Sequence, residues 1–489
     1  MSKLVQLKDL KDLKILDIKQ FENNEPDRKD FENKYLKIFY FILNEGILNT
    51  FRKYLGHKYK QQRQQRYLTF LIVEINEKKY INISTQYQSN SSEFIIDNLF
   101  YPFSDIDFRK IEDNLDYFLI NFNQFVQNDN YELFNLDISH SISLEMTQQS
   151  FETSDTSFNK GLFIYGLGGY VKIFVIHHFR KITKLACVDF NSRTTNEFQK
   201  KYEFKFGFLT PYNSFPLLKS VKHPIVIIAT YHSDHSSLAY EVFKINSNAT
   251  IFIEKPPTVT LEDLDKLIEL YNSKANIEIG FNRRFINFSK YVHDKIQNNI
   301  VIITCTIKEV VINHNHWYLW NNQGTRITSN VVHWFDLANW WIQSKPIEIN
   351  VLGSQKDQET SGISVLYENG SILNISASDK GNSLRGVQEK IEIRFGNETI
   401  FIDDFTSLTH IKGNGVKIKK RNLMRKKGHS AMYKNFLQII NEKQISDYSV
   451  HDLINTSVVT YYASQMVVKN IRNMNVEKDV DKYKSKVIS

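Results

Sequence analysis

Three short stretches bring together side chains whose types and spacing can do chemistry. In IFIEKPPTVT (251–260), Glu254, Lys255 and Pro256 follow an apolar, strand-like run. A lysine fixed between an acid and two prolines can hydrogen-bond a hydroxyl and stabilise negative charge developing on its oxygen. The plainer reading is a solvated surface lysine, the usual setting of that residue. ATYHSDH (229–235) ends a second apolar run, HPIVIIAT, and offers Thr230, Tyr231 and His232, whereas His235 reads as a helix-start residue. SNVVHWFD (329–336) carries His333, whose neutral imidazole is a competent base near neutral pH. A buried structural histidine is the alternative for His333, and a helix-stabilising acid for Asp336.

A fourth stretch, IYGLGGYV (164–171), holds Gly166, Gly168 and Gly169, followed by Tyr170, between a strand and a helix. A glycine turn there lets backbone N–H groups and a helix N-terminus approach a pyrophosphate. The third glycine of a G-x-G-x-x-G pattern falls at Val171, so the loop alone does not separate a cofactor site from a plain turn. Asp189 ends the next strand, 23 residues after Gly166. An acid there accepts hydrogen bonds from an adenosine ribose and repels a 2′-phosphate. The combination favours a dinucleotide site and NAD over NADP, with Arg193 nearby keeping NADP open.

These positions need a scaffold, and the pattern around them supplies one. From Lys160 onward, apolar strands (GLFIYG, KLACVDF, EFKFGFL, HPIVIIAT, NATIFIEKP, NIEIGFN) alternate with amphipathic helices. One of these helices, LEDLDKLIELYNSK, has Thr260 as N-cap and acids in its first turn. This grammar specifies an α/β, Rossmann-type doubly wound parallel sheet over 160–283. Ligands of such sheets sit beyond the carboxyl ends of the strands, where Thr230, His232, Glu254 and Lys255 fall.

After residue 284 come strands with hairpin turns, including one at Asn369–Gly370, and two closing helices. They predict an α+β domain over 284–475 with a mainly antiparallel open sheet. Residues 1–150, nearly free of glycine, read as an additional α+β region without recognisable chemistry, and 140–160 as a linker. That region includes a helical pattern in YLKIFYFILNEGILNTFRKYL and a strand pair in YLTFLIVEINEKKYINIST.

GLGGYV, ATYHSDH, EKPP and GFNRRF (280–285) occur in an order and spacing that resembles the Gfo/Idh/MocA family of glucose–fructose oxidoreductase and inositol dehydrogenase, over about residues 160–475. The resemblance implies an NAD(P)-dependent oxidoreductase acting on a sugar, sugar nucleotide or cyclitol, with homo-oligomers formed through the open sheet. It gives Lys255 and His333 catalytic roles and places Asn282 at the cofactor and Arg283 near the substrate. The family's DxxxHxxD pattern is met by His333 and Asp336, but its first acid is replaced by Ser329, with Asn330 beside it. A non-catalytic nucleotide-binding regulator and an NAD-assisted lyase or glycosidase remain the rival readings.

All five tryptophans lie within residues 314–342. On a helix beginning near Ser329, residues Ser329, His333, Asp336 and Trp340 share one side, within about 60°, and Trp334 and Trp341 are expected in the core. Trp317 and Trp320, beside His316, are candidates for a wall against the substrate.

The bulk composition narrows the partners. A net charge of +8 is spread along a Lys-, Asn- and Ile-rich chain, so it reads as compositional bias and no nucleic-acid partner is expected, while the small-molecule carbohydrate partner is what the resemblance implies. KIKKRNLMRKKGH (417–429) is either a diphosphate-binding patch or, the preferred reading, a solvated loop. Cys187 and Cys305 sit in apolar runs without metal-ligand spacing, so no metal site is expected and a reducing, cytoplasmic setting is. No run approaches the ~18 apolar residues of a membrane span.

Overall fold

The computed structural model describes residues 158–489 apart from 190–191, 313–317, 319–320, 355–356, 382–385, 423–424, 426, 442–445 and 489, together with the backbone of seven earlier strands. Those strands are β1 (Lys3–Gln6), β2 (Lys14–Glu22), β3 (Tyr67–Ile75), β4 (Lys78–Gln86), β5 (Glu93–Ile96), β6 (Leu99–Pro102) and β7 (Glu132–Leu133). The strand pair expected in YLTFLIVEINEKKYINIST is present as antiparallel β3 and β4, in register from Tyr67↔Gln86 to Ile75↔Lys78. The helical pattern over 35–55, the run 58–66 and most of the expected linker lie outside the described residues.

Six strands then form a parallel sheet: β8 (Lys160–Tyr165), β9 (Lys184–Val188), β10 (Phe206–Phe208), β11 (His223–Ile228), β12 (Thr250–Ile253) and β13 (Asn276–Ile279). Their order, β10-β9-β8-β11-β12-β13, with every neighbouring pair parallel, is that of a doubly wound Rossmann sheet. The strands are short continuous apolar runs because both faces are covered, and β8 is buried from Gly161 to Tyr165. The helix Leu261–Asn272 is started as its sequence predicts: Thr260 Oγ1 accepts from Asp263 N, and the Asp263 carboxylate accepts from Thr260 N.

The sequence pattern predicts no element over 210–222, and a helix forms at Pro211–Ser220 with Pro216 inside it. Pro211 sits in the first turn, where a missing N–H costs nothing, and Thr210 caps the end. The helix after β8, expected over YVKIFVIHHFRKI (170–182), is shorter and ends at His178. Its turn is wide: Ile176 N–H donates to Val171 O, five residues back. Val171 is buried where a third glycine would let helix and strand pack closely, and the wide turn accommodates its side chain.

The second sheet has nine strands, ordered β21-β20-β19-β18-β14-β17-β16-β15-β22. They are β14 (Val301–Lys308), β15 (Pro346–Ser354), β16 (Asp357–Tyr367), β17 (Ile372–Ser378), β18 (Gln388–Phe395), β19 (Glu398–Asp403), β20 (Ser407–Ile411), β21 (Lys417–Arg421) and β22 (Asn473–Asn475). All neighbours are antiparallel except β14 and β17. The Asn369–Gly370 turn joins β16 to β17, with Gly370 at φ +84°. KIKKR, read as part of a solvated loop, is instead the edge strand β21.

The helix His429–Ile440 crosses back onto the parallel sheet. Met432, Tyr433, Phe436 and Ile439 bury against Ile164, Val175, Ile227 and Phe252, so the C-terminal part of the chain covers one face of the first sheet. The helix Val332–Ile342 and the long helix Val450–Lys469 pack in the core shared by both sheets. Among the described residues, no helix is long and apolar enough to cross a membrane. Both cysteines are free and buried.

Candidate functional site

The glycine loop lies at the switch point of the parallel sheet, between β8 and β11. Gly166 has φ +84°, and a Cβ there would stand 2.2 Å from Ala229 O, so only glycine lets the loop press against the end of β11. Nothing lies within 4 Å of the Cβ positions of Gly168 and Gly169, whose backbone faces open space. Asp189, just beyond β9, accepts from Leu167 N through Oδ2 at 2.9 Å and so sits directly against the loop.

Tyr170 ties this loop to the end of β12. Tyr433 Oη donates to Glu254 Oε1 and lies 3.0 Å from Tyr170 Oη. Burial pushes the Glu254 carboxyl up to about 7, against the pull of Tyr433 and Lys255. At the next strand end, His235 Nδ1 donates to Pro256 O at 2.8 Å, linking the loops after β11 and β12. Burial lowers His235 to about 4, so it is the neutral linker its position at the start of the helix His235–Ile245 allows. Thr230 Oγ1 donates to Tyr231 O at 3.4 Å, and buried His232 packs 5.0 Å from the Tyr318 ring.

Lys255 reaches across to the second sheet's layer. Its Nζ donates to Ser329 O at 2.7 Å. Ser329 lies in a second wide turn, Ile327–Val331, where Val332 N–H reaches Ile327 O five residues back. Burial lowers the Lys255 ammonium to about 8; Arg283 and Arg326 add to this, while Glu254 and Glu309 oppose it.

His333 opens the helix that follows this turn. It is buried, edge-on to Phe281 at 6.0 Å between ring centres, and its Nδ1 has no hydrogen-bond partner. Burial, with Arg283 and Lys255 nearby, holds it well below the usual histidine range, so the imidazole is neutral.

Other candidate residues are committed to neighbours. Arg283 forms a buried ion pair with Glu389, with hydrogen bonds of 2.9 and 3.2 Å, and its guanidinium lies over Trp334 at 4.2 Å. Asn282 donates to Lys427 O at 2.5 Å and lies 3.3 Å from His429 Nε2, holding the loop from the basic run against the site. Asp336 is bound by Arg284 at 2.6 and 2.9 Å, and Arg284 also holds Asp452. Ser329 Oγ turns back to Arg326 O, and Asn330 donates to Glu309. His316, Trp317 and Trp320 lie outside the described residues. Trp334 and Trp341 are core, as expected, while Trp340 stacks on His293 at 4.3 Å.

Sequence reasoning missed Glu309, Glu389 and Tyr433. The first two carry a legible signal. Val301, Ile303, Cys305 and Ile307 form the inward row of β14, and Glu309 is its next member. Glu389 stands opposite Ile307 on β18, at the same end of the same buried face.

No family model matches the chain. YteT of Bacillus subtilis (strain 168), named as an oxidoreductase, is 27% identical over 154 residues, covering 28% of this chain and 34% of YteT. Inositol 2-dehydrogenase/D-chiro-inositol 3-dehydrogenase of Lacticaseibacillus casei is 23% identical over 145 residues, 29% of this chain and 41% of that protein. The matches therefore span less than half the length of these curated relatives.

Solved structures agree over a longer stretch. A probable dehydrogenase from Thermotoga maritima matches with a TM-score of 0.53 and 20% identity over 65% of this chain and 99% of its own. An oxidoreductase from Agrobacterium radiobacter in complex with NAD+, L-tartaric acid and magnesium gives 0.56 and 14% over 66% and 100%. Levoglucosan dehydrogenase in complex with NADH gives 0.55 and 14% over 65% and 99%. At these identities the structures establish the fold. With the sequence relatives added, the chain bears a family-level resemblance to the Gfo/Idh/MocA-type NAD(P)-dependent oxidoreductases.

Proposed function

We propose that the chain is an NAD(P)-dependent oxidoreductase that transfers a hydride between nicotinamide and a hydroxyl or carbonyl carbon of a sugar, sugar nucleotide or cyclitol. The observation that carries this reading is the convergence of Lys255 and neutral, unpartnered His333 at the carboxyl edge of the parallel sheet, beside an open glycine loop. The residues present fit a dinucleotide. The open space over Gly168 and Gly169 suits a pyrophosphate, and Asp189 beside the loop favours NAD.

A bound nicotinamide supplies or takes up the hydride. Lys255 donates a hydrogen bond to the substrate oxygen and stabilises its charge, using donors that Ser329 leaves uncommitted. His333 accepts the hydroxyl proton, a role open to a neutral imidazole that makes no hydrogen bond.

In this reading 160–283 binds the nucleotide and 284–475 binds substrate and pairs copies of the chain, while 1–150 is an added module. The pairing surface is the outer face of the second sheet around exposed Leu352. The buried free cysteines are compatible with a cytoplasmic setting. The test is nicotinamide absorbance over a panel of sugars, cyclitols and nucleotide sugars with NAD and NADP. Turnover on a panel member supports the reading; nucleotide binding without turnover on any of them favours the regulatory alternative.

A further inference from the structure

Side chains from three distant parts of the chain meet at the end of β12. Tyr433, on the helix His429–Ile440, is fully buried, its ring against Phe252 at 5.2 Å and His178 at 5.3 Å between centres. Its hydroxyl bonds Glu254 Oε1 and lies 3.0 Å from Tyr170 Oη. Glu254 is buried. Tyr170 is half-buried at the edge of the glycine loop, propped on Phe174 at 5.3 Å and His429 at 5.8 Å. A tyrosine hydroxyl has a single proton to donate. Tyr433 gives its own to the carboxylate, the stronger acceptor, so Tyr170 is the donor in the 3.0 Å contact. The protons therefore run one way, from Tyr170 to Tyr433 to Glu254. Tyr170 Oη keeps lone pairs and has no proton left to offer.

The strand order β9-β8-β11-β12 says which half of a dinucleotide would lie above this cluster. Asp189, after β9, suits the adenosine ribose, and the glycine loop after β8 suits the pyrophosphate. The nicotinamide half then runs out over β11 and β12, where Tyr170 is tied down. We propose that Tyr433 is the positioning residue for the nicotinamide end of the cofactor site: it takes the proton of Tyr170 and gives its own to Glu254, so that Tyr170 Oη meets the cofactor as an acceptor for the carboxamide N–H. This rests on the dinucleotide reading given above.

The consequence is a choice between an amide and an acid at that end. A carboxylate in place of the carboxamide has no proton to give, and it meets the lone pairs of Tyr170 with the Glu254 charge behind them. Without Tyr433, Tyr170 can turn its proton towards such a carboxylate, and the choice is lost. A substitution that merely loosened the fold would weaken every nucleotide alike.

The experiment is calorimetry on the full-length chain at about pH 8, where the Glu254 carboxyl, pushed up to about 7 by burial, is ionised. The probes are NAD+, nicotinic acid adenine dinucleotide, which carries a carboxylate for the carboxamide, and ADP-ribose, which lacks the ring. The wild type should bind NAD+ at least about tenfold more tightly than the acid. Tyr433→Phe should lose most of that preference while binding ADP-ribose as the wild type does, and Tyr170→Phe, which removes the acceptor, should match it. A wild type without the preference, a Tyr433→Phe variant that keeps it, or an equal loss for ADP-ribose overturns the proposal and leaves the dinucleotide reading standing. A wild type that binds none of the probes overturns that reading, and this role with it. Should Tyr433→Phe not fold, Glu254→Gln decides. Its amide can accept from or donate to Tyr433, so the protons no longer run one way: a lost preference supports the proposal and a kept one overturns it.

Discussion

Lys255 Nζ lies 2.7 Å from Ser329 O, so the end of β12 is bonded to the wide turn that leads into the His333 helix. One contact thus sets the distance between the two proposed reacting groups and joins the parallel sheet to the second layer. A neutral carbonyl holds the ammonium without neutralising it, which leaves its charge for a substrate oxygen.

That arrangement gives the proposed reaction a basic limb. Burial lowers Lys255 to about 8, so the charged form is complete below that pH and lost above it. We expect kcat/KM to fall as pH rises through about 8 in the wild type. Lys255→Arg, which stays charged, should be slower but lack that limb. A pH–rate profile on any substrate found in the panel checks both.

The glycine loop separates binding from folding. Gly168→Val adds a side chain where nothing lies within 4 Å, so thermal stability should be unchanged. Calorimetry should show NAD affinity at least about tenfold weaker, a loss of ~1.4 kcal/mol. Gly166→Ala should behave differently, because its Cβ meets Ala229 O and its φ is +84°. Denaturant unfolding should show a loss of about 1–3 kcal/mol. Equal affinity in Gly168→Val would remove the pyrophosphate from this loop.

Asp336 is expected to act on stability. It shares Arg284 with Asp452 deep in the core, and Asp336→Asn leaves that guanidinium half-compensated. Chemical denaturation should report a loss of about 3 kcal/mol.

The proposed pairing of copies through the outer face of the second sheet is tested by Leu352→Lys. Leu352 is 71% exposed on the second sheet, so the substitution should not disturb the fold. Light scattering should show a wild-type assembly of this chain that shifts towards monomer in the variant. An assembly unaffected by the charge would exclude this face.

Local signals were legible in the sequence: the alternation of strands and helices, the Thr260 cap, the Asn369–Gly370 turn and the burial of Trp334 and Trp341. Each depends on neighbours within a few residues. The wide turns at 171–175 and 327–331 were not legible, because they answer tertiary packing rather than propensity. The helix at 211–220 was hidden by Pro216, which usually argues against one. The commitments of Arg283 to Glu389 and of Glu254 to Tyr433 bridge 106 and 179 positions, beyond any periodicity argument. Glu309 was within reach, since an acid that continues an apolar inward row at a strand's end is a local anomaly.

The most direct test of the proposed chemistry is turnover of Lys255→Ala and His333→Ala on a substrate identified with the wild type, with nucleotide affinity measured alongside. We predict that each variant binds NAD with near wild-type affinity and loses at least about 100-fold in kcat. Full turnover in both variants would contradict the assignment.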